Sequence, residues 1–208
     1  MRGRLITVEG LDGAGKTTLV AALADALAAR GQPVRVLREP GGVALAERLR
    51  AVVADPALRV DSRAEALIYA AARAQLVTEV LNPALAAGEW LLLDRFVDSS
   101  LAYQGGGRGL GVPEIAALNE FATQGLEPDL TLLLRVDPAT GRGRLESRGA
   151  DADRLEREAD AFFGAVAAAY DALAGDHPGR YVVIDASAPP DAVLADAVAA
   201  AGRLLQSP

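Results

Sequence analysis

The chain has 208 residues, of which 51% are hydrophobic, and its formal net charge is −7. This length predicts one compact domain, residues 1–208, with a substantial core. The acidic balance argues against a nucleic-acid-binding protein, which usually presents a basic face. The sequence has no cysteine, no apolar run that would span a bilayer and no secretory signal pattern, so we expect a cytoplasmic protein without membrane attachment.

Strand-like and helix-like patterns alternate along the chain. Short apolar runs predict five strands, at 4–9, 34–37, 90–94, 130–136 and 181–185. Helical patterns fall at 19–30, 43–54, 62–87, 98–104, 113–124 and 189–205, and the segment GGGRGLG at 105–111 predicts a flexible loop. Ser62 is the predicted N-cap of the third helix. Repeated β-α units predict a parallel sheet wrapped by helices on both faces.

The segment RLITVEGLDGAGKTT at 4–18 carries the strongest motif, G-x-x-x-x-G-K-[ST] between a strand and a helix. This is a P-loop, whose glycines let backbone N–H groups converge on phosphate oxygens. Lys16 would neutralise the β- and γ-phosphates, and the Thr17 hydroxyl would ligate Mg²⁺. The motif predicts a P-loop NTPase-type three-layer α/β/α fold. The predicted ATP-binding residues are Gly10, Leu11, Asp12, Gly13, Ala14, Gly15, Lys16, Thr17 and Thr18.

Polar residues follow the predicted strands, at the sheet edge where ligands bind in such folds. Asp94 ends the strand WLLLD and has the form of a Walker-B carboxylate that holds Mg²⁺. An ordinary capping aspartate is the alternative. Arg95 comes next, where a guanidinium can bridge donor and acceptor phosphates. A salt bridge to a neighbouring carboxylate is the alternative for Arg95.

Two further groups are candidates for contacts with an acceptor molecule. Arg38 and Glu39 end the second strand before Pro-Gly-Gly, where glycines permit close approach to a ligand or simply make a turn. Tyr69 and Arg73 lie four residues apart and therefore on one helix face. Such a pair can stack on a base and bond its edge, although a packed tyrosine beside an extended arginine is the commoner arrangement.

These motifs together resemble the thymidylate kinases. The resemblance rests on REPGG at 38–42, Y-x-x-x-R at 69–73, DRF at 94–96, S-x-A-Y-Q-G-G-G-R at 100–108 and SRGADADRLE at 147–156. The resemblance covers Arg4 to about Asp185. It implies phosphorylation of dTMP to dTDP with ATP as donor and Mg²⁺ as metal. It also implies a homodimer.

The resemblance assigns roles to individual residues. Asp12 would lie near the sugar 3′-hydroxyl or the metal shell, while Arg38 and Arg95 would hold the acceptor phosphate. Tyr69, at a position where phenylalanine is usual, would stack on thymine, and Arg73 would bond a thymine carbonyl.

Further assignments concern the far edge of the base and the sugar. Ser99 or Ser100 would read that edge. Tyr103 would crowd the 2′ position and so favour deoxyribose, with Gln104 beside it. Val43 stands where the family often has threonine.

The segment from about 141 to 158 resembles the lid that closes over ATP. It contains Arg142, Arg144, Arg148, Arg154 and Arg157 among acidic residues, so a solvated helix face is the alternative. The P-loop has no basic residue between Gly10 and Gly15, a pattern that in this family accompanies a transition-state arginine in the lid. Arg148 matches that catalytic residue best, and Arg144 and Arg154 match ATP-binding positions.

Two other functions remain alternatives. A deoxynucleoside kinase on this scaffold would need a carboxylate base, which Glu39 could supply, but Arg38 beside it favours an acceptor that already carries a phosphate. A non-catalytic nucleotide switch is the second alternative, but it would have no acceptor base for Tyr69 and Arg73 to bind. The sequence also has no N-K-x-D guanine signature.

Overall fold

The computed structural model describes residues 2–147 and 154–205. Its centre is a five-stranded, all-parallel sheet in the order β2-β3-β1-β4-β5. The strands are β1 (Leu5–Gly10), β2 (Val34–Arg38), β3 (Trp90–Asp94), β4 (Leu130–Arg135) and β5 (Tyr181–Asp185). All five fall within a residue of their predicted positions, because buried apolar runs bounded by turn residues are a local signal.

The helices connect consecutive strands, except for the last helix, which follows β5. They are α1 (Lys16–Ala28), α2 (Ala44–Ala54), α3 (Ser62–Leu76), α4 (Asn82–Ala86), α5 (Val97–Ser100), α6 (Val112–Thr123), α7 (Pro138–Glu146), α8 (Asp160–Asp176) and α9 (Pro190–Leu205). Two π-helical segments, Val77–Leu81 and Leu101–Gly107, continue α3 and α5. No helix in the described ranges is long and apolar enough to cross a membrane.

Successive residues of each central strand point to opposite faces of the sheet, where they pack into two separate hydrophobic cores. Ile6 and Leu92 pack with Leu23 of α1 in one core, whereas Leu5 and Leu91 belong to the other. Helices α1 and α9 contact each other, while α2, α3, α6, the second π-helical segment and α8 form a continuous layer of contacts. The result is the predicted three-layer α/β/α arrangement, with the carboxyl end of β1 at its centre.

Two local predictions are wrong. Helix α3 is capped by Asp61, whose carboxylate accepts from the Arg63 N–H, and not by Ser62. The predicted loop at 105–111 is helical up to Gly107. The predicted helix at 62–87 is confirmed over residues 62–86, with a π-helical turn at Val77–Leu81 inside it. Helix α8 was not predicted, although its buried residues Phe162, Phe163, Val166, Tyr170 and Leu173 recur at helical spacing.

Candidate active site

The P-loop lies between the end of β1 and the start of α1. Lys16 is 7% exposed, and its Nζ donates to the carbonyls of Gly10 at 3.1 Å and Leu11 at 2.8 Å. A Cβ on Gly13, whose φ is +79°, would lie 2.1 Å from the carbonyl oxygen of Gly141 in α7, so only glycine fits there. Burial, and then the charge of Arg95, lower the pKa of Lys16 to about 8.

The two predicted metal ligands are neighbours. The Thr17 hydroxyl donates to Asp94 Oδ2 at 3.1 Å, which joins the start of α1 to the end of β3. A hydroxyl and a carboxylate are both hard oxygen donors, and Mg²⁺ usually takes one or two such protein ligands together with phosphate oxygens and water. These residues therefore fit the metal that the sequence predicts.

A cavity opens beside the P-loop, under α2 and α3. Its lining includes Asp12, Glu39, Arg50, Tyr69, Arg73, Arg95, Ser99, Ser100, Tyr103, Gln104 and Leu155. The structure thus brings together all but one of the predicted acceptor-binding residues. Arg38 is the exception, since it is exposed and its Nη2 bonds the Glu47 carboxylate at 2.8 Å. Arg50 lines the cavity instead and donates to the Pro40 carbonyl at 3.1 Å.

Arg73 is fixed at one end of the cavity. The guanidinium is 2% exposed, and its Nε and Nη2 both lie 2.7 Å from Glu39 Oε2. Its Nη1 donates to Ser100 at 2.9 Å and to Asn119, and its Nη2 donates to the Phe96 carbonyl at 2.9 Å. Four hydrogen bonds and the ion pair with Glu39 therefore hold the guanidinium, so the cavity wall is rigid here.

Arg95 and Asp12 form the other end of the cavity. Arg95 Nη2 bonds Asp12, and Nη1 donates to Ser99 at 2.9 Å. The Tyr103 hydroxyl donates to Asp12 at 2.8 Å, and its ring lies 4.9 Å beneath the Arg95 guanidinium. Burial opposes ionisation of Asp12, but the charges of Arg95 and Lys16 outweigh it and lower the pKa of Asp12.

Glu9 and Tyr170 form a second layer that supports Arg95, and no role was predicted for either residue. Glu9, at the end of β1, accepts from Phe96 N at 2.7 Å, from Ser99 at 2.6 Å and from the Tyr170 hydroxyl at 3.0 Å. Glu9 is fully buried, and burial together with the charge of Asp98 raises its pKa to about 7. Tyr170 comes from α8, 161 residues away in sequence. The one local sign of this cluster in the sequence is the acidic residue Glu9 at the end of an apolar strand.

Replacing Glu9 with Gln should flatten the pH dependence of stability. A carboxyl whose pKa rises from 4.5 to about 7 on folding holds a proton in the folded state that the unfolded chain has lost. The free energy of unfolding therefore falls as pH rises through this window, by an amount on the order of 2 kcal/mol. Urea unfolding of both proteins at pH 5 and pH 8 measures the difference. An exposed control, Glu89→Gln, should keep the wild-type dependence, and identical dependence in Glu9→Gln would contradict this prediction.

The described parts of the segment predicted as a lid contact both ends of the site. Arg144 donates to the Ala186 carbonyl at 3.1 Å and lines a second cavity with Gly15 and Thr18 of the P-loop. Arg154 points the other way, donating to the Val53 carbonyl at 2.9 Å and to Glu65. Arg148 lies outside the described residues.

The P-loop and most of the residues predicted to bind an acceptor thus lie together at one rim of the sheet, as expected for a P-loop phosphotransferase. Similarity to known proteins narrows this class. A family model described as thymidylate kinase matches residues 8–197. The thymidylate kinase of Lactobacillus delbrueckii subsp. bulgaricus is 48% identical, over 100% of this chain and 97% of the relative. That of Deinococcus radiodurans is 49% identical, over 96% of both.

The chain therefore belongs to the thymidylate kinase family, which confirms the resemblance seen in the sequence. It is an enzyme that phosphorylates dTMP with ATP as the donor. Neither a deoxynucleoside kinase nor a nucleotide switch is favoured by these similarities.

Proposed function

We propose that ATP and dTMP meet end to end over the rim of β1 and β3, and that the γ-phosphoryl group moves in line to the dTMP phosphate. The observation that carries this proposal is the cavity that contains both Tyr69/Arg73 and Asp12/Arg95. Lys16 Nζ lies 3.8 Å from Asp12 Oδ1, so the end of this cavity adjoins the phosphate-binding loop. An acceptor whose base lies beside Tyr69 would direct its phosphate toward the P-loop.

The chemistry needs alignment and positive charge more than a general base. The acceptor is a phosphomonoester with a second pKa near 6, so it is already anionic at neutral pH. Glu39, the carboxylate that could serve as a base in a deoxynucleoside kinase, is buried and bonded to Arg73. Lys16 and Arg95 supply fixed cations at the reacting end, where they would offset charge on the transferring group.

The metal and the lid would complete the donor side. Thr17 and Asp94 would hold Mg²⁺, which supplies charge neutralisation at the β- and γ-phosphates when bound. We propose that residues 141–158 act as a lid, with Arg144 at the ATP side of the P-loop and Arg148 as the catalytic arginine. Arg154 contacts Glu65, so a role in ATP binding would require it to change partner.

Base recognition would fall to the far end of the cavity. Tyr69 would stack on thymine and Arg73 would reach a thymine carbonyl by sharing an N–H now given to Ser100. The structure separates the two adjacent serines, since Ser100 bonds Arg73 whereas Ser99 bonds Arg95. Ser100 therefore fits the base, and Tyr103, which contacts Asp12, fits the sugar.

Comparing dTMP, thymidine and no acceptor in an ADP-release assay tests the function. We expect ADP release to depend on dTMP, and dTDP to accumulate in equal amount. Phosphorylation of thymidine but not dTMP would instead indicate a deoxynucleoside kinase. ATP hydrolysis without dependence on an acceptor, together with no dTMP binding in calorimetry, would indicate a nucleotide switch.

A homodimer is part of the proposal. Neighbouring helices expose large apolar side chains, namely Leu45 and Val52 on α2, Leu67 on α3 and Phe121, 87% exposed, on α6. An exposed patch of this kind usually marks a contact surface. Phe121→Asp should shift sedimentation velocity toward the mass of one chain. A wild-type protein that sediments as a monomer would contradict the dimer.

The expected setting follows from the substrates. We place the enzyme in the cytoplasm, with ATP and dTMP as its partners. The net charge of −7 supports the expectation that nucleic acid is not a partner.

A further inference from the structure

Glu65 is a buried carboxylate in the first turn of α3. It is 0% exposed and accepts four N–H groups. Gln104 Nε2 at 2.8 Å and Arg108 Nε at 3.2 Å bond Oε1, while Arg108 Nη2 at 3.0 Å and Arg154 Nη2 bond Oε2. Burial opposes ionisation, but these hydrogen bonds keep the pKa of Glu65 below its usual value. Glu65 is thus an ionised carboxylate that accepts hydrogen bonds and cannot donate one.

This carboxylate fixes the orientation of the Gln104 amide. An ionised carboxylate cannot donate a hydrogen bond, so the amide nitrogen must face Glu65 and the amide oxygen must face away. Gln104 lines the acceptor cavity with Tyr69, Arg73 and Ser100. In residues 2–147 and 154–205, no donor is bonded to Gln104 Oε1. A largely buried acceptor is therefore held ready at the wall of the cavity.

Local backbone geometry supports this arrangement. Gln104 and Arg108 lie four residues apart, in and just after the π-helical segment Leu101–Gly107. Both reach the same carboxylate, and Arg108 is held in turn by Glu158 at 2.6 Å and by the ring of Phe162, 4.8 Å from its guanidinium. Because each partner is itself fixed, Glu65 can hold the amide in one orientation.

We infer that Glu65 is a specificity-determining positioning residue, which keeps the Gln104 carbonyl facing the acceptor base and so selects bases that present an N3–H. The inference rests on the proposed function, since it assumes a pyrimidine in this cavity. Thymine and uracil donate from N3, whereas neutral cytosine has only a lone pair there. Turning the amide to suit cytosine would place its oxygen against the Glu65 carboxylate and lose a charge-assisted hydrogen bond.

The variant Glu65→Gln tests this directly, because its side chain is nearly isosteric and can face the Gln104 amide in either orientation. We expect the ratio of kcat/KM for dTMP to that for dCMP to fall about 10-fold or more. Weaker bonds to Arg108 and Arg154 would affect both acceptors alike and cancel in the ratio. Glu120→Gln, an exposed change on α6, is the matched control and should leave the ratio unchanged.

A double-mutant cycle with Gln104→Leu shows whether Glu65 acts through the amide. Glu65→Gln should lower the ratio when Gln104 is present and leave it unchanged in the Gln104→Leu background. An unchanged ratio in folded Glu65→Gln, or the same fall in both backgrounds, would overturn the inference. If Glu65→Gln fails to fold, Gln104→Leu alone must lower the ratio, and no fall there would equally overturn it.

Different experimental results would refute the proposed function and the role of Glu65. Loss of the proposed function would appear as a wild-type protein that does not phosphorylate dTMP. The preference for dTMP over dCMP can still be measured by calorimetry without turnover, and Glu65→Gln must lower it. A wild-type enzyme that phosphorylates dTMP while Glu65→Gln keeps its preference would refute only the role of Glu65.

Discussion

Replacing Lys16 with Met should lower kcat for dTMP phosphorylation about 10³-fold or more. Lys16 is the only lysine in the chain, so no other ammonium group can take its place. Methionine keeps most of the buried stem but loses the charge and the hydrogen bonds to the carbonyls of Gly10 and Leu11. An ADP-release assay at saturating dTMP measures the loss, and thermal unfolding shows whether the variant is folded.

Chemical labelling provides an independent check on Lys16. A pKa lowered to about 8 leaves about half of the side chain as free amine at pH 8. Pyridoxal phosphate followed by borohydride should therefore label Lys16, apart from the chain's terminal amine, and MgATP should protect it. Labelling that ATP does not affect, or a Lys16→Met enzyme within tenfold of wild-type activity, would show that this residue does not hold the donor phosphates.

Much of the fold was predictable because its signals are local. The P-loop motif, the apolar strands and the turn residues between them are each contained in a few consecutive residues. The pairing of Tyr69 with Arg73 was predictable in the same way, since helical residues four apart share a face. Both side chains line the acceptor cavity. Parallel topology then followed from the alternation of strands and helices.

Predictions failed where distant segments determine the local structure. Three consecutive glycines at 105–107 suggested a loop, yet they form a π-helical segment that packs against α8. A Cβ on Gly106 would lie 2.6 Å from the Cβ of Ala169, so the glycines allow close helix packing and not flexibility. Since α8 itself was not predicted, its close packing against these glycines could not be predicted either.

The candidate site shows the same division. Residues in motifs, such as Lys16 and Asp94, were predicted, whereas their supports came from afar. Glu9 contacts Tyr170, 161 residues away, and Arg154 contacts Glu65 across 89 residues. A strand-end arginine also carries no information about its rotamer. Arg38 turns to Glu47, nine residues on, and away from the cavity, so its predicted contact with the acceptor phosphate remains a prediction.

Replacing Arg95 with Ala should lower kcat/KM for dTMP by about 10³-fold. The guanidinium bonds Asp12 and Ser99 and lies over the ring of Tyr103, so it is held in place before substrate arrives. Its removal would leave the Asp12 charge facing the acceptor phosphate, which adds repulsion to the lost attraction. Initial rates with varied dTMP at saturating ATP measure the effect. Binding of an ATP analogue, measured by calorimetry, should change far less.

The backbone at Arg95 gives this prediction a matched control. Arg95 has φ +70°, a left-handed conformation that costs a residue with a Cβ about 1 kcal/mol and glycine very little. Arg95→Gly should therefore be as inactive as Arg95→Ala and yet more stable, with a melting temperature higher by about 3 °C for a chain of this size. A variant that is more stable but inactive is expected when a functional residue has a strained backbone, because such strain is retained where the side chain is needed for function. Equal melting temperatures for the two variants would mean that the backbone relaxes at no cost, and retained activity in either would remove Arg95 from the reacting end of the cavity.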